Sequence, residues 1–171
     1  MAVWLSAAPL LGQADGLETL LDQLRAPALQ NWEEVENRIW AEWAQSGSPA
    51  MDLLLVRGRQ ALAEGNTRLA IAHLTALTDH APEFAEGYNA RATAYFRAGL
   101  YGPSLRDIEA TLALNPQHFG ALAGLGLILE ELNQPQEALS AYRAAHAIHP
   151  HMPHVREAIT RLEGDLAGSE I

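Results

Sequence analysis

Seven histidines and no cysteine bound the chemistry open to this chain. Without thiols there are no disulfides, no thiolate metal ligands and no cysteine nucleophile, and either redox compartment would suit it. His146, His149, His151 and His154 fall within nine residues. The three-residue steps from His146 to His149 and from His151 to His154 could bring imidazoles together across a helix end, and neutral imidazole is a good ligand for zinc, nickel or copper. Pro150 and Pro153 interrupt that geometry, and histidine near a helix C-terminus is favoured by the dipole alone. These four are the candidate metal ligands, capping and surface roles are the simpler assignment, and no cofactor is implied. His73, His80 and His118 join no pattern. Gly120, Gly124 and Gly126 superficially suggest a phosphate loop, but they lie within a helical run and no lysine exists to follow them. No Gly-x-Ser-x-Gly elbow occurs. The acidic pairs Glu33-Glu34 and Glu130-Glu131 are adjacent, so their carboxylates diverge around a helix and read as solvated faces. Nothing here calls for an enzyme.

The elements that hold these residues belong to one soluble folded chain of 171 residues, 49% apolar and 19% charged. The net charge is −10 and every basic residue is arginine. That is the opposite of the basic stripe needed to neutralise phosphates, so nucleic acid is not an expected partner. The longest uncharged apolar run in the body, Phe119 to Leu129, has about half of the ~20 residues a membrane span needs, and reads as a core helix. At the N-terminus, Ala2 to Leu11 is apolar and runs into Gly12-Gln13-Ala14, a small-x-small pattern, without a basic region before it. Residues 1–14 are either an apolar leader on a cytoplasmic protein or the remnant of a signal peptide on an exported, periplasmic one.

Pro82, Pro116 and Pro150 recur at a period of 34 residues. On that period lie segments 51–82, 85–116 and 119–150, each with two apolar-periodic runs of helical length. The breaks are Glu64-Gly65-Asn66, Gly99-Leu100-Tyr101-Gly102 and Asn133-Gln134-Pro135, residues that end one helix in a left-handed turn or open the next. Within each segment the fourth position is Leu54, Tyr88 or Leu122. The eighth is small, as Gly58, Ala92 or Gly126, and the eleventh is Ala61, Tyr95 or Leu129. The twentieth is small again, as Ala70, Ser104 or Ala138, and the twenty-fourth is large, as Leu74, Ile108 or Tyr142.

This pattern resembles the tetratricopeptide repeat family, over about 100 residues. The departures are Arg57 and Arg91 at the usually apolar seventh position, and Leu77 and Thr111 where alanine is usual. The resemblance implies an all-α, right-handed α-solenoid of helix-turn-helix hairpins. Residues 49–150 would hold the three repeats. Residues 15–48 would be a divergent N-terminal hairpin, with Leu17, Leu20, Leu21 and Leu24 on one helix and Trp32, Val35, Ile39, Trp40 and Trp43 on the other. Residues 151–171 would be a capping helix and tail, because a terminal hairpin cannot bury its flank alone. The tryptophan stripe reads as core.

In this family the first helices of the hairpins line a concave groove that takes peptides or partner helices. The resemblance assigns to that groove Leu55, Arg59 and Leu62 in the first repeat, Asn89, Thr93, Phe96 and Arg97 in the second, and Gly120, Ala123, Gly124, Leu127 and Glu130 in the third. Gly120 and Gly124 stand one turn apart, and two helix-interior glycines cost about 1 kcal/mol each against alanine, so close approach of a ligand is the expected reason. The lysine, asparagine and arginine clamp of the chaperone-binding members is missing, with Leu55, Arg59, Ala90, Gly120 and Gly124 at its positions. The implied function is a non-catalytic adaptor, bacterial in character, binding a protein or peptide segment. The alternative is a homo-oligomer whose apolar N-terminus or tryptophan-rich hairpin docks into a neighbour's groove.

Overall fold

A computed structural model of the chain describes residues 11–168, with side chains from residue 16 onward. Among these residues all regular structure is helical: α1 Leu11–Leu24, α2 Trp32–Trp43, α3 Pro49–Ala63, α4 Thr67–His80, α5 Ala85–Arg97, α6 Tyr101–Leu114, α7 Phe119–Glu131, α8 Pro135–Ile148 and α9 Pro153–Gly168. The apolar stretch before Leu11, on which the leader and signal-peptide readings rest, lies outside the described residues. Residues 11–14, the remainder of the 1–14 leader, belong to α1.

Hairpins form where the sequence supplies a left-handed residue after the first helix. Gly65 has φ 75°, Gly99 φ 72° and Asn133 φ 55°, at equivalent places in the three repeats. New helices open on a cap or a proline. The Asn66 side chain accepts from the Leu69 N–H at 3.1 Å, and α8 begins on Pro135. Within each hairpin a small residue lets the two helices touch. A Cβ on Gly58 would lie 2.5 Å from Leu74, and one on Gly126 would lie 2.6 Å from the Tyr142 ring. Ala70, Ser104 and Ala138, the second small site, are all fully buried. The helices pack pairwise as α3 on α4, α5 on α6 and α7 on α8, and each pair stacks on the next, with α9 closing on α8.

Arg91, at a position usually apolar, has its own partners. Its guanidinium donates through Nε and Nη2 to the two Asp107 oxygens at 2.7 and 2.8 Å, and through Nη1 to Thr78 Oγ1 at 2.6 Å. Thr111 donates to the Asp107 carbonyl at 2.8 Å. The departures at 91 and 111 are thus one buried polar group joining α4, α5 and α6, and every charged member is paired.

The N-terminal hairpin does not stack on the first repeat. Leu20, Leu21, Leu24, Val35, Ile39 and Trp43 share a single core with Phe119 and Ala123 of α7, residues of α8, and Met152, Val155, Ala158 and Leu162 at the C-terminal end. The first repeat has a separate core around Leu55, Leu62, Leu74 and Leu77. The chain therefore closes on itself, N-terminal unit against C-terminal cap. Leu53 and Val56 of α3 are left exposed at 47% and 57%.

Candidate functional site

The groove begins with a chain of charge. Glu86, on the first turn of α5, is buried and accepts from Arg59 of α3, from Asn89 and from the His118 Nε2–H at 2.9 Å. The tautomer follows from the other ring nitrogen: His118 Nδ1 accepts the Ala121 N–H at 3.1 Å and caps α7, so the proton sits on Nε2. One carboxylate thus ties the first helices of all three repeats together. Arg59 is consumed in this chain and is not a free cation for a ligand. Arg97 is also engaged, its Nη1 donating to the Leu62 carbonyl at 3.2 Å.

Beyond this chain, α5 and α7 diverge around an open pocket of about 230 Å³. Asn89, Thr93 and Phe96 line it from α5, and Gly120, Ala123, Gly124 and Leu127 from α7. Ser104 and Ile108 of α6, and Met152 and His154 before and within α9, complete it. Leu127 stands 43% exposed at its rim. A Cβ at Gly124 would meet only Ile108 Cδ1, at 3.7 Å, so this glycine faces open space. The pocket is an apolar cup with Asn89, Thr93 and His154 as its polar edge, suited to one large apolar side chain and the backbone beside it.

Seven of the twelve predicted groove residues meet here. Leu55 and Leu62 do not: they are buried, at 1% and 7% exposure, in a core shared with Leu74 and Leu77 of α4 and Ala90 and Ala94 of α5. Glu130 is committed to the cap, accepting from the Tyr142 hydroxyl at 2.8 Å and Arg161 Nη2 at 2.6 Å. Burial first, and then the hydrogen bond to Glu130, push the Tyr142 phenol well above its ordinary value.

Gly120 needs a correction. A Cβ there would lie 2.6 Å from Trp40 Cη2, so the glycine makes room for α2 of the chain's own N-terminal hairpin. Trp43 stacks on His118 with ring centroids 4.4 Å apart and lies 4.9 Å from Phe119, and Trp40 meets Phe119 edge-on at 5.2 Å. The tryptophan-bearing hairpin, one reading of which had it in a neighbour's groove, is seated on its own chain. Nothing local to Trp40 signals this; its complement, the bare backbone of Gly120, lies far along the sequence.

The C-terminal histidines serve the same closure. His149 is buried, its ring 4.9 Å from Phe119 and its Nε2 3.6 Å from Glu36 Oε1. His151 stacks on Trp32 at 5.9 Å, and its Nε2 faces the Ala26 carbonyl at 3.0 Å. His154 lines the pocket and its charge also acts on Glu36 of α2, while His146 lies on α8. Among the described residues, no three histidines or carboxylates converge as metal ligands. The four candidate ligands are thus spread apart, with the rings of His149 and His151 both packed against Trp32 of α2.

The tetratricopeptide repeat family model matches residues 55–103 and 101–153. A TPR repeat-containing protein of Rhizobium etli is 35% identical over 135 residues, which are 79% of this chain and 66% of that protein. The small glutamine-rich tetratricopeptide repeat-containing protein 2 of Saccharomyces cerevisiae is 31% identical over 111 residues, 65% of this chain and 32% of that one. The match thus spans under two thirds of either relative. Among solved structures, the first TPR domain of human RPAP3 superposes with a TM-score of 0.66 at 23% identity, covering 70% of this chain and 94% of that one. The first TPR of Spaghetti (RPAP3) bound to an HSP90 peptide gives 0.66 at 23% identity, covering 68% and 93%. Repeat period, small-site packing and these matches agree, and the chain belongs to the tetratricopeptide repeat family.

Proposed function

We propose that this chain is a non-catalytic adaptor that holds a segment of a partner protein in the pocket between α5 and α7. The open cup beside Gly124 carries this reading, since it is concave, apolar and adjoined by exposed Leu127 and part-buried Phe96. Peptide binding by a solved TPR neighbour supports the class of ligand. The recognition differs from capture of a C-terminal carboxylate, because Leu55 is buried and Arg59 is paired with Glu86. An apolar side chain, with Asn89 or Thr93 bonding its backbone, fits the pocket better. Selection of random peptides on the full chain tests this, with Gly124→Leu as the counter-target because it fills the cup. Enriched peptides should share one large apolar residue and lose at least tenfold in affinity for the variant. Equal binding to both proteins would move the site elsewhere.

A further inference from the structure

The occupant already seated beside that pocket specifies more. We propose that α2 is a built-in ligand gating this end of the groove, and that the external partner is an amphipathic helix presenting two aromatic side chains three residues apart, which displaces α2. The inference rests on the adaptor reading and names the shape of its ligand.

Three observations carry it. First, the seat is made of side chains that would suit any such helix. Trp40 occupies the space over Gly120, Trp43 lies on His118 and Phe119, and Ile39 and Val35 fill the buried flank between. Second, the hairpin is joined to the rest by side chains more than by close helix packing. Among closely packed helix pairs α1 joins only α2, and α2 only α1; large side chains make the contact with the rest. The tether is the short segment from Ala44 to Ser48, whose Gly47 has φ 80° with nothing near its Cβ position. Third, the fit is incomplete. Trp43 Nε1 and His149 Nδ1 are buried without a hydrogen-bond partner, His149 Nε2 reaches Glu36 Oε1 only at 3.6 Å, and an open pocket lies next to Trp40. A helix that satisfies one of those groups, or extends an apolar side chain into the pocket, binds better than α2 does. It must still compete with a tethered occupant whose effective concentration is on the order of millimolar.

The test uses the full chain and a fluorescein-labelled synthetic peptide of residues 28–46, followed by anisotropy. In the variant carrying Trp40→Ala and Trp43→Ala the internal competitor is weakened, so the peptide binds at least tenfold more tightly than it binds the wild-type chain. Adding Gly120→Leu to that variant abolishes binding, because the new side chain stands where Trp40 of the peptide must go. Equal affinity for wild type and double variant, or binding that survives Gly120→Leu, overturns the proposal. If the double variant does not fold, amide hydrogen exchange on the wild-type chain decides. Exchange of α2 well ahead of α5 and α7 supports a gate, and equal protection of all three overturns it. The peptide is the chain's own, so failure of the peptide selection with success here would overturn the pocket reading alone.

Discussion

Single glycines in this fold serve different neighbours, and substitution separates them. Gly58 and Gly126 face Leu74 and Tyr142, both fully buried and unable to move aside. Alanine at either should overpack by about 1–3 kcal/mol, outweighing the roughly 1 kcal/mol alanine gains as a helix former. Gly124→Ala keeps that gain, with only Ile108 Cδ1 3.7 Å away. Urea unfolding should therefore rank Gly124→Ala above wild type and the other two below it; the same shift in all three would refute the small-site assignment. Arg91 and Asp107 make a second pair of tests. They are 15% and 7% exposed, and Asp107 helps hold the Arg91 guanidinium above its ordinary pKa. Asp107→Ala strands that charge and should cost about 3 kcal/mol, whereas Arg91→Met with Asp107→Leu restores an apolar contact and should recover most of it. A double-mutant cycle reads the coupling, and additive losses would mean that the two do not act together.

Helix α2 is where electrostatics meets the closure. The Glu36 carboxylate is held below the ordinary carboxylate value, first by the His149 ring and then by the Trp40 indole N–H, which donates at 3.2 Å, while burial works against both. A depressed folded-state pKa gives stability that is present above the unfolded value and lost as pH falls through the folded one. Glu36→Gln should accordingly flatten the stability profile below about pH 4.3, the unfolded glutamate value. Parallel wild-type and variant profiles in acid would remove Glu36 from the account. The helices themselves were legible because prolines, left-handed residues and small sites recur at a fixed period. The seat of α2 was not. A stripe of Trp32, Ile39, Trp40 and Trp43 is apolar whatever covers it, so it announces burial without naming the surface. The same blindness placed Leu55 and Leu62 in the groove: the family's positions give a direction from the helix axis, and the neighbours that bury these two, on α4 and α5, are not named by it.

For the molecule as a whole, an ordinary repeat array owes its stability to nearest neighbours. Here the core residues of the first two helices are shared with the last three. Trp32, Trp40 and Trp43 all lie on α2, so tryptophan fluorescence largely follows the closure while far-UV circular dichroism follows every helix. The fluorescence transition in urea should come first; coincident midpoints would show that hairpin and solenoid melt as one unit. The closure also bears on descent. Repeat arrays readily gain and lose units by duplication, because one more hairpin disturbs only its neighbours. In this chain an inserted 34-residue unit would carry Gly120 and the α9 cap away from Trp40 by roughly 10 Å, the spacing of packed helices, while the five residues from Ala44 to Ser48 keep α2 tethered to α3. A reach set at one end thereby fixes the number of hairpins that can stand between α2 and the helix it covers.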